Sequence, residues 1–99
     1  MSDAFYIPGE LARMSLTAKD ATGVLADPGA LRLKVKTPAG IVTTYTYGSS
    51  AEVIKDSTGR YHADIQLTAA GVWAYRWELD APNAGAAEGA ITVQKSRVI

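Results

Sequence analysis

His62 is the only histidine among 99 residues, so any imidazole chemistry this chain performs has to pass through it. An imidazole works as a base only when a partner orients it and a nucleophile or labile proton lies within reach. Asp64 stands two residues on, in the same phase of an alternating segment, and supplies such a partner. A His–Asp pair without a nucleophile does no chemistry. The outward phase of His62 predicts a solvated side chain. Glu78 and Glu88 form the other carboxylate pair that neighbouring strands would bring together, and outward charges on a β surface are the ordinary state of such residues. With one histidine, no cysteine and no Asp-x-Asp-x-Asp-Gly loop, histidine-rich, thiolate and calcium-loop metal sites are excluded. The glycines stand singly at turns and never form a phosphate-cradling loop. The expectation is a chain that is not an enzyme, with no catalytic residue, no metal and no cofactor.

The elements that would hold these residues belong to one small domain. At 99 residues a second core would leave each half too little apolar surface to bury. With 47% hydrophobic and 20% charged residues, the chain falls far from the signature of disorder. Ten basic residues balance ten acidic ones, so no long-range positive field gathers phosphates, and nucleic acid is not an expected partner. The same neutrality leaves little repulsion between copies, which favours association. Without cysteine the fold relies on packing alone, as suits synthesis in a reducing compartment. The start, Met1-Ser2-Asp3-Ala4-Phe5-Tyr6-Ile7-Pro8, lacks the basic and apolar regions of a secretory signal. No run approaches the ~18 apolar residues of a membrane span. Cytoplasmic synthesis with no membrane partner is expected.

Along the chain, alternation of period two dominates. Ala12, Met14, Leu16 and Ala18 share one side of a first strand over 11–18, and after a turn Leu31, Leu33 and Val35 face in while Arg32, Lys34 and Lys36 form a basic outward row. Such a row reads as edge protection and solubility, or as an anion-binding stripe. Thr37-Pro38-Ala39-Gly40 is a hairpin turn. The stretch from Ile41 to Tyr47 is wholly β-branched or aromatic, the strongest strand propensity in the chain. A short strand over 52–55, a turn at Asp56-Ser57-Thr58-Gly59, and a strand with Tyr61, Ala63, Ile65 and Leu67 inward follow. Trp73, Tyr75, Trp77 and Leu79 then share one face of the central core strand. Three aromatics at period two can form a stacking platform for a ligand, but on a central strand they fill the space between sheets. The last strand, over about 87–94, carries Gly89 inward, suited to close approach beneath a tryptophan.

The pattern is that of an all-β, seven-stranded antiparallel immunoglobulin-like β-sandwich; a Greek-key β-barrel is the competing architecture, since strand count does not separate the two. Residues 10–95 form the sandwich, 1–9 an N-terminal arm and 96–99 a C-terminal tail. Tyr61, Trp73, Tyr75 and Trp77 are its expected core and structural residues. Phe5, Tyr6 and Ile7 before Pro8-Gly9, and Val98 and Ile99 at the other end, are the candidate protein-interface residues. Such arms either tuck back as edge extensions or dock on a neighbour by strand addition.

Taken together, Phe5-Tyr6-Ile7-Pro8-Gly9, Asp27-Pro28, Thr37-Pro38-Ala39-Gly40, Asp56-Ser57-Thr58-Gly59-Arg60-Tyr61-His62, Gly71-Val72-Trp73-Ala74-Tyr75-Arg76-Trp77 and Ala87-Glu88-Gly89 resemble the small immunoglobulin-like proteins encoded among the head and tail genes of tailed bacteriophages and prophages. Gly-x-Trp-x-Tyr-x-Trp also recurs in bacterial surface modules of the same type. The segment ending at Tyr61 resembles the Asp-x-Gly-x-Tyr corner of immunoglobulin domains, with one residue more and no cysteine following. The resemblance implies a non-enzymatic virion structural protein: a capsid decoration, head-completion or head–tail connector component. It implies capsid, portal or other virion proteins as partners, contacts repeated over multiple copies in an assembly, and passage from host cytoplasm to virion. The alternative is an immunoglobulin-like binding module of a bacterial surface or periplasmic system with a carbohydrate or protein ligand.

Overall fold

A computed structural model describes residues 6–81 and 84–95. The inward rows read from the sequence become seven strands: β1 Leu11–Thr17, β2 Leu31–Lys36, β3 Val42–Thr46, β4 Val53–Ser57, β5 Arg60–Gln66, β6 Gly71–Leu79 and β7 Gly85–Val93. They form two antiparallel sheets, one ordered β1-β5-β4 and the other β3-β2-β6-β7. Two faced sheets make the fold a β-sandwich and set aside the Greek-key barrel. Among the described residues there is no helix.

Alternation decides what lies between the sheets, because successive side chains on a strand point to opposite faces. Ala12, Met14 and Leu16 of β1 face Tyr61, Ala63 and Ile65 of β5, and these pack against Leu31, Leu33 and Val35 of β2 and Trp73 and Trp77 of β6. Trp77 is fully enclosed, at 0% exposure, opposite Leu33 in the β2–β6 register. Trp73 is also buried, and its indole N–H donates to the Ala69 carbonyl at 2.9 Å. Tyr75 is only half-buried, packed against the core from the side of β7. The glycine opposite it explains how: a Cβ on Gly89 would collide with the Tyr75 ring. Gly89 therefore makes room for a tyrosine, not for a tryptophan as its position had suggested, because Tyr75 is its cross-strand partner while Trp73 pairs with Ile91.

Tyr6 forms a parallel bridge to Val93, and the Gln94 N–H donates to the Tyr6 carbonyl at 2.7 Å. Three residues on, the Gly9 N–H donates to the Leu67 carbonyl at 2.6 Å. The segment thus crosses from the edge of one sheet to the end of the other, with Tyr6 packed against the core and Ile7 exposed. In this part the N-terminal arm tucks back. Phe5, Val98 and Ile99 lie outside the described residues.

Candidate functional site

His62 departs from its expectation. Its phase is outward, but it is 7% exposed. It sits on the middle strand of its sheet between Ser15 of β1 and Ile54 of β4, so cross-strand neighbours cover it from both sides. Its Nδ1 lies 2.8 Å from Oδ2 of Asp56, and its Nε2 lies 4.0 Å from Asp64. Asp56 is the better partner because the register shifts between Lys55 and Ser57, and a bulge re-aims the side chain of the extra residue. Asp64 is committed elsewhere, to a bidentate pair with Arg13 at 2.9 and 3.1 Å. That pair holds the Asp64 carboxyl below its usual range and raises the guanidinium. Ser15 is opposite His62, the place a nucleophile would occupy, yet Asp56 is the hydrogen-bond partner of the imidazole. The arrangement is an outer-face tether between β4 and β5.

Asp27 gathers donors from two strands and the turn between them. Its carboxylate accepts from Lys55 Nζ at 2.6 Å, from the Gly59 N–H at 2.9 Å and from the Tyr61 hydroxyl at 2.9 Å. Lys55 first, then the Gly59 amide and the Tyr61 hydroxyl, pull the Asp27 carboxyl down to about 2. Burial, then the adjoining carboxylate, push the Tyr61 phenol up to about 12. A carboxylate held ionised beside a phenol held neutral moves no proton near neutrality; it ties the β1–β2 loop to the β4–β5 hairpin. Tyr61 therefore has a corner-like hydrogen bond, but to a side chain of the β1–β2 loop instead of to nearby backbone. The rings of Tyr61 and Tyr47 meet in a T-shaped contact, with centroids 5.4 Å apart. Sequence reading placed Asp27 in a turn and could not foresee its partners, which lie 28 to 34 residues away.

Two of the three cations in the basic row of β2, Arg32 and Lys34, are neutralised in place. Arg32 and Lys34 reach Glu78 at 2.7 and 3.3 Å, Arg32 also reaches Asp80 at 3.2 Å, and Arg76 bridges Glu78 at 3.0 Å and Glu88 at 2.7 Å. Arg76, with help from Arg32 and Lys34, holds the Glu78 carboxyl at about 2, so it stays ionised and cannot serve as a general acid at neutral pH. Edge protection is not the reason for these charges, since β2 lies inside its sheet between β3 and β6. Below this lattice, Lys34, Lys36, Val42, Ala74, Arg76 and Glu88 line a shallow cleft of about 250 Å³, opened by the small Ala74 side chain.

The remaining feature is β3. It forms one edge of its sheet, and around it Ile41 is 64% and Val42 55% exposed. Among the described residues, no cluster of three or more metal-ligating side chains occurs.

No family model matches this chain, and no curated protein matches it. Among solved structures it is similar to part of the chitinase ChiW from Paenibacillus sp. str. FPU-7, described as a bacterial cell-surface-expressed multi-modular enzyme machinery. The TM-score is 0.65 at 21% identity, over 94% of this chain and 8% of that one. The chain spans a small fraction of that enzyme's length, and the likeness concerns the fold.

Proposed function

We propose that this chain is a non-catalytic immunoglobulin-like structural protein of a tailed-phage particle, acting by protein–protein contacts as a decoration, head-completion or head–tail connector component. The observation that carries this reading is how its reactive groups are used. His62, Asp27, Asp64 and Glu78 are each bound to neighbours within the domain, while an uncharged, threonine-rich strand stands open at a sheet edge. A surface organised in this way is suited to contact, not turnover. The resemblance of the motif set to phage head and tail proteins supports the placement in a particle, and zero net charge suits dense packing of many copies. Mass spectrometry of purified particles from a strain that carries the gene should find the chain in stoichiometric, multiple copies. Particles that lack it would overturn the assignment.

A second reading, an accessory module of a bacterial surface protein, is favoured by the likeness to part of a cell-surface chitinase. Its glycan version is weakened by burial, since Trp73 and Trp77 cannot stack on a sugar. Titration with chitin oligosaccharides should leave tryptophan emission unchanged, and a saturable blue shift would revive that reading.

A further inference from the structure

The backbone groups on the free side of β3 are arranged to pair with themselves. In the β2–β3 ladder the Tyr47 N–H donates to Leu31 and the Ile41 carbonyl accepts from Thr37. Odd-numbered residues of this stretch therefore turn their polar groups toward β2, and even-numbered ones turn theirs outward. At one of those even positions the outward groups are already satisfied. The Thr46 N–H donates to Ser50 Oγ at 3.0 Å, and its carbonyl accepts from the Ser49 and Ser50 amides at 3.1 and 2.7 Å. The open stretch is reduced to Val42 and Thr44.

We infer that two copies of this chain pair antiparallel through β3, on a two-fold axis at Thr43. In that register the N–H and C=O of Val42 meet the C=O and N–H of Thr44 in the second copy, and symmetry repeats the exchange. Every open group is used and the capped Thr46 is spared. A register centred on Thr44 instead sets Val42 against Thr46, whose groups are occupied. Because the axis is perpendicular to the sheet, each face meets its like: on the outer face Val42 lies across from Thr44, and on the inner face Ile41 lies across from Tyr45. This joins the exposed Ile41 to the half-buried Tyr45 ring, an aliphatic–aromatic pair of the kind that stabilises sheets.

The other three edges carry the devices that discourage such pairing. β1 has Arg13, β4 has a bulge with Lys55 and Asp56, and β7 has Gly85, Glu88, Gly89 and the docked Tyr6. From Ile41 to Tyr47 there is no charge, glycine, proline or bulge. Five residues a side is well short of the ~20–30 of a stable interface, so the pairing is weak, reversible and concentration-dependent. The contact holds whether or not the chain is a particle component.

The test uses the absence of native cysteine. Across the axis the two Thr43 residues form a non-hydrogen-bonded pair with Cα atoms about 4.5 Å apart, inside the range of roughly 4.4–6.8 Å that a disulfide spans. Under glutathione oxidation, Thr43→Cys should cross-link about tenfold faster or more than Ser15→Cys on β1 or Thr92→Cys on β7, because docking replaces diffusion by local concentration. Sedimentation of the unmodified chain should show a monomer–dimer equilibrium over about 10 μM to 1 mM. Thr44→Pro, which removes an outward N–H without touching the β2 ladder, should abolish it. A chain monomeric throughout, equal cross-linking at all three positions, or a folded Thr44→Pro that dimerises unchanged would overturn the proposal. If Thr44→Pro does not fold, the cysteine comparison decides.

Discussion

Gly59→Ala tests the junction that ties the β1–β2 loop to the β4–β5 hairpin. Gly59 has a φ of 74°, a region where a Cβ crowds the following carbonyl at about 1–2 kcal/mol. It is also enclosed: a Cβ there would lie 2.5 Å from the Ala18 carbonyl oxygen, 3.0 Å from the Ala26 nitrogen and 3.2 Å from the Leu25 Cβ. Two of these atoms are backbone and cannot swing away, so the chain must shift. That shift strains the Ala18 N–H bond to the Gly59 carbonyl, 2.6 Å long, and the Gly59 N–H bond to Asp27. Overpacking of this kind costs about 1–3 kcal/mol, giving roughly 2–5 kcal/mol in all, a large part of the ~5–15 kcal/mol that holds a domain. At about 4–8 °C per kcal/mol for a chain of this size, the melting point falls by roughly 10 °C or more. Gly48→Ala is the control, because Gly48 has a φ of 92° but no atom within 4 Å of its Cβ. It bears the conformational cost of about 1–2 kcal/mol alone. Urea unfolding followed by tryptophan fluorescence gives both values, with an unchanged slope certifying comparable transitions. If Gly59→Ala is no more destabilising than Gly48→Ala, the enclosure of this turn by Ala18 and Ala26 is wrong.

Trp77→Ala is expected to cost about 3–5 kcal/mol, as the emptying of a fully enclosed aromatic site does; a near-neutral result in the same urea assay would mean that the sandwich is turned inside out. The Asp27 junction should register in the pH dependence of stability. The folded Asp27 carboxyl is lowered from 3.8 to about 2, so its contribution is present above its unfolded value and lost as pH falls through that interval. Asp27→Asn should therefore be less stable than the unmodified chain at pH 6, with the gap closing toward pH 2. Tyr61 is raised from 10.0 to about 12, so its contribution is full below 10 and lost on rising to 12. Tyr61→Phe should flatten that alkaline loss, and an alkaline limb that stays as steep in the variant would remove Tyr61 as its source.

The strands, and the inward faces of five of the seven, were legible from alternation and propensity, because both are local properties of the chain. Ala12, Met14 and Leu16 could be placed without knowing their partners, as could Leu33 and Trp77. Which sheet a strand joins, and where in it, is set by pairings between distant residues that no local pattern encodes. The Ile41–Tyr47 stretch shows the consequence: its propensity marked it as a strand, but only the order β3-β2-β6-β7 put that uncharged strand at an edge.

Charged and titratable residues were read least well, for the same reason. Composition established that the chain holds one histidine, no cysteine and balanced charge, and so bounded its chemistry. It could not say that a bulge would turn Asp56 onto His62, that Glu78 would gather Arg32, Lys34 and Arg76, or that Asp27 would join Lys55, Gly59 and Tyr61. A hydrogen bond is decided within a few tenths of an ångström, and cross-strand register, which folding alone sets, determines which side chains come that close.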